Sequence, residues 1–381
     1  MLSVAGEWFV LAAPGRVSLE VGDHPGMPRS LDTGVLPAVT WSETQDGREW
    51  EDFVVNNHGT ALQSWAWRDV GGSTSNKPRY LVCRDARGAL RAVCPFFLVK
   101  SGRYLHSLSS LPSTIEGGPL FASDVGDVSL EMESLRRSIR FPFWKRIGSL
   151  QVNVYDKRVV NSLLASGYPH RIEWGVFILD LRTVSLDRIW TGLFDNEDRR
   201  NIKYFDALGC SLRLAETDGD YDEFLALENA SMERSGHFQL PREILTRFRS
   251  SFGENFRLLE VVSPDGSLVA AVTLLSCPDK TMVHWTHVGY TQERSSKSAY
   301  SYAIWKLVNW ASAEGFRYVD LGGTRPDPAD PVHRIKRRFG GDYFPIYTFT
   351  IPVSSSLLSV AKRFYASVKS THQASPNVRR S

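Results

Sequence analysis

Cysteine is scarce in this 381-residue chain, and the four present, Cys83, Cys94, Cys210 and Cys277, lie far apart with no C-x-x-C pair. That spacing fits neither a zinc ribbon nor a dense disulfide framework. Cys83 and Cys94 could face each other across a hairpin; buried free thiols are the preferred reading. No window approaches the ~18 apolar residues of a membrane span. The N-terminus sets Glu7 inside its only apolar run and lacks an early basic region, so no signal peptide is expected and a cytoplasmic location is the default. Net charge is also small, +3, which does not by itself call for nucleic acid, although local basic clusters can still hold phosphates. No short repeat is present.

What is present suffices for a sizeable core. Hydrophobic residues make up 42% and charged residues 23%, the balance of a globular chain. Eleven Trp supply large apolar surfaces for cores or ligand grooves. The length suggests two domains.

Along the chain, residues 1–36 hold scattered Pro and Gly without a period and read as a loosely ordered leader, with one strand at 7–12. Residues 41–55 suggest a short helix. Two strands at 80–84 and 90–99 flank the turn Asp85-Ala-Arg-Gly88. Residues 104–111 lead to a second turn at Glu116-Gly-Gly-Pro119, 129–140 carry helical periodicity, and 146–155 read as a strand. The second half repeats this grammar. Residues 174–181 form a strand with little alternation, expected to be buried on both faces. Helices follow at 185–193, 197–208, 221–234 and 241–252, then a hairpin around Ser263-Pro-Asp-Gly266. A strand at 282–290, a polar loop, a helix at 299–314, a strand at 318–323 and a last strand at 343–352 complete the pattern. Two similar α/β halves would account for the echo. The tail, 354–370, has the pattern of a basic amphipathic helix; docking on the protein's own core is the preferred reading and peripheral contact with a membrane surface the other.

Several side chains invite chemistry. The loop 292–299 feeds a helix N-terminus, where unpaired N–H groups and the macrodipole favour an anion, with Arg294 and Lys297 adding full charge. An ordinary Ser-capped helix is the equal alternative. Asp320 stands near the carboxyl end of a strand beside a glycine turn, where it could hold an amine or simply cap the loop. His284 and His287 are three apart, so a regular strand sends them to opposite faces, and they share a metal only if a bulge intervenes. His58 and His237 have no recognisable partners, and no metal site is expected. Arg200 and Tyr204 are i and i+4 on one helix, a fork and a phenol suited to a diphosphate or carboxylate. Arg334, Lys336, Arg337 and Arg338 form a basic run, which on its own reads as solvated surface.

Together, Arg199-Arg-Asn-Ile-Lys-Tyr204, Tyr300-x-Tyr-Ala-Ile-Trp-Lys-Leu-Val-Asn-Trp-Ala311, Gly315-Phe-Arg-Tyr-Val-Asp-Leu-Gly-Gly323 and Ile335-Lys-Arg-Arg-Phe-Gly-Gly341 resemble the Fem peptidyltransferase (FemABX-like) family over residues 58–347. The resemblance implies an α/β fold, a mixed α+β sheet in two tandem GNAT-like domains. We set these at 37–168 and 169–353, between the leader 1–36 and the tail 354–381. It implies an acyltransferase that moves an aminoacyl group from aminoacyl-tRNA to an amine of a cell-wall peptide precursor, with no metal or redox cofactor. Arg200 and Tyr204 would hold the acceptor's diphosphate. Arg294, Lys297 and Tyr300 are further substrate-binding candidates. Lys336 would face the donor or the developing oxyanion. Asp320, from its place at the strand end rather than from the resemblance, is the second catalytic candidate. The chain departs from the family in having Ile335 where Phe is common, and it lacks a long charged heptad insertion. Its acyl-CoA loop is degenerate at 292–299, which counts against acetyl-CoA. The alternatives are an acyl-CoA-dependent N-acyltransferase acting on an amino sugar of a surface polysaccharide, and a non-catalytic binding protein.

Overall fold

The computed structural model describes residues 39–72, 76–100, 106–111, 117–139, 147–234, 239–277, 279–291 and 296–352, without the side chains of 147–148 and 296–298. The strand expected at 7–12, the helix expected at 354–370, His237, Arg294 and the Lys297 side chain therefore lie outside the described residues.

The strands are β1 (Thr40–Glu43), β2 (Asn76–Arg84), β3 (Leu90–Lys100), β4 (His106–Ser110), β5 (Leu120–Phe121), β6 (Ile147–Val154) and β7 (His170–Asp180). β8 (Ser211–Leu214), β9 (Phe256–Val262), β10 (Leu268–Ser276), β11 (Met282–Tyr290), β12 (Tyr318–Thr324) and β13 (Asp342–Pro352) follow. They join in one sheet in the order β1-β2-β3-β4-β6-β13-β7-β12-β11-β10-β9-β8, with β5 paired to β3.

That order shows the repeat. β1 to β4 are antiparallel neighbours, and β4 then runs parallel to β6 after the Ser129–Ser138 helix. β8 to β11 do the same, and β11 runs parallel to β12 after the Ser296–Ala313 helix. The last strand of each half is exchanged. β7 leaves the first half to pair with β12, whereas β13 ends the second half and pairs with β6. β7 and β13 pair with each other at the centre. The apolar run of β7 is explained by this position, since Val176 to Leu179 are buried on both faces.

The crossover helices cover one sheet face. Helix Ser296–Ala313 sits over β10–β12 through Ala303, Ile304, Leu307 and Val308. Helix Ser129–Ser138 covers the other half through Met132 and Leu135. On the opposite face the helices between β1 and β2 meet those between β8 and β9. Trp67 stands edge-on to Phe248 and Phe252, at 5.4 and 5.6 Å between centroids, and so ties the halves together.

Residues 41–55 divide where a single helix was expected. Trp41 pairs with Cys83 in β1, and its indole donates to the Glu131 carbonyl at 2.8 Å. The helix begins only at Gly47, because Asp46 accepts the N–H groups of Arg48 and Glu49 and so caps it. A Lys157–Ala165 helix and strand β8 were not expected from the pattern at all. All four cysteines are buried free thiols. Among the described residues no helix is long and apolar enough to cross a membrane.

Gly340 closes the turn between the Pro331–Arg338 helix and β13 with φ 83°, and a Cβ there would lie 2.1 Å from Leu193 Cδ1. Gly340→Ala should therefore lower the unfolding free energy by about 1–3 kcal/mol. Urea titration checks this, and Leu193→Ala in the same chain should relieve the steric part of the loss while the strain of the left-handed backbone remains.

Candidate active site

The site forms where two parallel strands part. β11 and β12 pair only from Met282 with Tyr318 to His284 with Asp320, although β11 continues to Tyr290 and β12 to Thr324. Both are irregular at this level. Relative to β10, β11 carries an extra residue at Thr286, and β12 slips against β7 between Asp320 and Gly323. Gly322 occupies the left-handed region with φ 75°, which only glycine adopts without strain.

The bulge overturns the expected parity of the two histidines. His284 lies opposite Leu275, and His287 lies opposite Thr273, two residues away on the same face of β10. His284 and His287 therefore share the face turned away from the 296–313 helix. They nevertheless take separate partners. His284 Nδ1 is 2.9 Å from Asp320 Oδ2, and His287 Nδ1 is 2.8 Å from Glu228 Oε1. Among the described residues no group of three or more His, Cys, Asp or Glu is placed to hold a metal ion.

Asp320 is itself buried, and its other oxygen accepts the Gly322 N–H at 2.7 Å. Thus it both caps the glycine turn and pairs with His284. The two readings of this residue, cap and functional carboxylate, coexist in one geometry.

Lys336 reaches the same place from the other side of the sheet. Its helix, Pro331–Arg338, starts at Asp330, whose carboxylate accepts the N–H groups of Val332 and His333, with Pro331 in the first turn. The basic run that read as solvated surface is in fact amphipathic. His333 and Lys336, three apart, turn inward, while Arg334 and Arg337 stay exposed. Arg338 binds Asp195 and Asp198 at 3.0 and 3.2 Å and so fastens this helix to the start of the Asn196–Ala207 helix.

Lys336 Nζ donates to the Gly323 carbonyl at 2.8 Å and stands 5.5 Å from the centroid of Trp285. Burial pushes its ammonium down to about 8, against the opposing pull of Asp320 and Asp330. Trp285 also touches Tyr300 at 5.4 Å between centroids, and its indole donates to the His287 carbonyl at 3.1 Å. Burial raises the Tyr300 phenol well above its ordinary value. Gap, bulges, a buried carboxylate and a buried lysine make a compact site able to hold a carbonyl and stabilise charge on its oxygen.

Residues 194–331 match the family model described as an acetyltransferase (GNAT) domain. FemX aligns over 82% of this chain and 97% of its own, at 12% identity and a TM-score of 0.65. The chain has the tandem GNAT fold, in the form seen in FemX. L-PGS from Bacillus licheniformis aligns over 84% of this chain and 95% of its own, at 13% identity and a TM-score of 0.54. A tandem GNAT protein from the clavulanic acid biosynthesis pathway covers 84% and 100%, at 11% identity and a TM-score of 0.54. No curated protein matches by sequence.

Within this tandem GNAT fold the expected site residues separate into two groups. Asp320, Lys336 and Tyr300 come together around Trp285 and the Gly322–Gly323 turn. Arg200 and Tyr204 do not join them by any contact. They lie exposed on the 196–207 helix, and Arg200 makes no hydrogen bond or ion pair among the described residues. A cavity of 470 Å³ beside Glu51, Asp69, Cys277 and Asp279 and another of 250 Å³ beside Gly118, Asn153 and Arg158 are lined by none of these five. Sequence reasoning missed His284 and Trp285 as members of the site, and missed the Glu228 partner of His287. The bulge that aligns the histidines leaves no mark in strand periodicity. The one available signal for Glu228 was its place on the helical stripe of Tyr221 and Phe224, where a carboxylate needs a partner.

Proposed function

We propose that this chain is an N-acyltransferase that moves an activated aminoacyl group, carried by aminoacyl-tRNA, to an amine of a cell-wall peptide precursor. One observation carries the acyl-transfer reading: a buried lysine stands at the glycine turn where β11 and β12 diverge. An acyl carbonyl entering that gap would meet the Lys336 ammonium as its oxygen gains charge. In a site closed to water such a donor acts strongly because it needs no reorganisation during reaction. Holding amine and ester in register supplies much of the remaining acceleration. Arg200 and Tyr204, exposed and one helical turn apart, would take the acceptor's diphosphate. Arg294 and Lys297 would meet the donor's phosphates. The tRNA donor rests on the Fem resemblance and on the fold shared with FemX.

Acyl-CoA is the competing donor, favoured by the match to an acetyltransferase family model. Purified protein given radiolabelled aminoacyl-tRNAs and a lipid-free cell-wall precursor should yield labelled amide that resists mild base. Product from acyl-CoA alone would establish the second donor. Absence of amide from either donor with any amine acceptor would end the acyl-transfer reading. Arg200→Ala should raise the acceptor KM roughly tenfold or more at little cost in kcat, because a charged hydrogen bond made equally in ground and transition states contributes about 1.5–3 kcal/mol.

A further inference from the structure

A second histidine–carboxylate pair beside the gap has no part in the chemistry assigned so far. His287 Nδ1 lies 2.8 Å from Glu228 Oε1, and Glu228, on the Asp218–Arg234 helix, is 1% exposed. Its other carboxylate oxygen has no hydrogen-bond partner among the described residues. A buried carboxylate with one polar contact concentrates its charge on the imidazole and selects the tautomer with the proton on Nδ1. That leaves the Nε2 lone pair bare on a side chain that is 28% exposed.

The backbone is built to hold this ring in place. Thr273 Oγ1 accepts the His287 N–H at 3.1 Å and lies 2.8 Å from Thr286 Oγ1, while the Thr286 hydroxyl donates to the Thr273 carbonyl at 3.1 Å. These bonds fix the bulge that turns His287 to the face shared with His284 and Asp320. The Phe248 ring packs edge-on at 6.3 Å between centroids. Arg234, one and a half turns beyond Glu228, is tied to Ser231 and to the Tyr290 carbonyl instead.

From this we infer that His287 Nε2 is the general base for the acceptor amine, with Glu228 as its positioning residue. The inference rests on the acyl-transfer reading and deepens it. Lys336 meets the gap from the helix side of the sheet and His287 borders it on the opposite face, so donor carbonyl and acceptor amine would approach from opposite faces. The amine nitrogen forms a bond to the acyl carbon and gives its proton to His287 Nε2. The bond from that carbon to the carrier's oxygen or sulfur then breaks with its electron pair, and the leaving atom takes the proton from the imidazolium. Amide and free carrier result, and no oxidant or further reactant is needed.

Two readouts test this, one of them independent of turnover. In 15N-edited NMR of the free protein, the His287 imidazole should show the neutral tautomer protonated at Nδ1, and Glu228→Gln should abolish that preference. In the acyl-transfer assay, His287→Gln should lower kcat about a hundredfold with donor affinity unchanged. Glu228→Gln should lower it about tenfold, and the double variant should be no slower than His287→Gln alone. A tautomer protonated at Nε2, or His287→Gln within threefold of wild-type kcat, overturns the assignment while leaving acyl transfer intact. Loss of amide formation in the wild type would instead remove the underlying reading, whatever the tautomer.

Discussion

Lys336→Met should lower kcat about 10²–10³-fold, the loss expected when one preorganised donor to an oxyanion is removed. The same change should raise stability at neutral pH. The native ammonium has its pKa lowered to about 8 from 10.5, so the folded state binds this proton less tightly than the unfolded chain does. Below pH 8 the residue is charged in both states, and burial of that charge opposes folding by about 3 kcal/mol. Between pH 8 and 10.5 the folded state loses the proton first, and the penalty fades as pH rises. Methionine keeps the apolar stem and removes the charge, so unfolding free energy at pH 7 should rise by up to about 3 kcal/mol, less the hydrogen bond to Gly323. At pH 10.5 the gain should vanish. Urea titration at both values, beside steady-state kinetics, separates this outcome from simple misfolding, since an unfolded variant loses activity and stability together. The wild-type rate should also decline as pH rises through about 8, where the ammonium is lost, and the variant should lack that decline.

Asp320→Ala should cost about 3–5 kcal/mol of stability and most of the activity. It removes the acceptor for the Gly322 N–H and the partner of His284 Nδ1, both in a buried setting. It also takes away the negative charge that opposes desolvation of Lys336, leaving a buried cation with less compensation. A coupled effect distinguishes this from a generic core defect. Without Asp320 the Lys336 pKa falls further below about 8, so the alkaline decline in rate should move to lower pH. Asp320→Asn preserves shape and should recover part of the stability but not the position of that decline. Chemical denaturation and pH–rate profiles of both variants check this.

Much of this architecture could be read from the chain, and the failures have identifiable causes. β10, β11 and the 296–313 helix announce themselves through apolar periodicity, and Asp85-Ala-Arg-Gly88 and Ser263-Pro-Asp-Gly266 through turn chemistry. The repeat was visible because both halves keep the same succession of elements. Exchange of β7 and β13 was not, since nothing in a strand of eleven residues states which distant strand it will join. The basic run at 334–338 misled because clustered charge outweighs the i, i+3 relation that buries His333 and Lys336 together. Thr40–Glu43 was absorbed into a helix because Trp41 looks equally at home on either element, until its pairing with Cys83 decides the matter. Asp320 stood out through its place at a strand end beside a glycine turn and Lys336 through the family resemblance, whereas the link between them through Trp285 and the Gly322 turn needed the folded chain.

The most direct test is a crystal structure with an inert acyl donor, supplied in parallel as an amide-linked aminoacyl-adenosine and as an acyl-CoA thioether. Acyl density between β11 and β12, with its oxygen (or the atom in that place) in hydrogen-bond reach of Lys336 Nζ, is the predicted result. Acyl density elsewhere, for instance in the cavity beside Glu51, Asp69 and Cys277 with the gap vacant and Lys336 still bound only to Gly323, would contradict it.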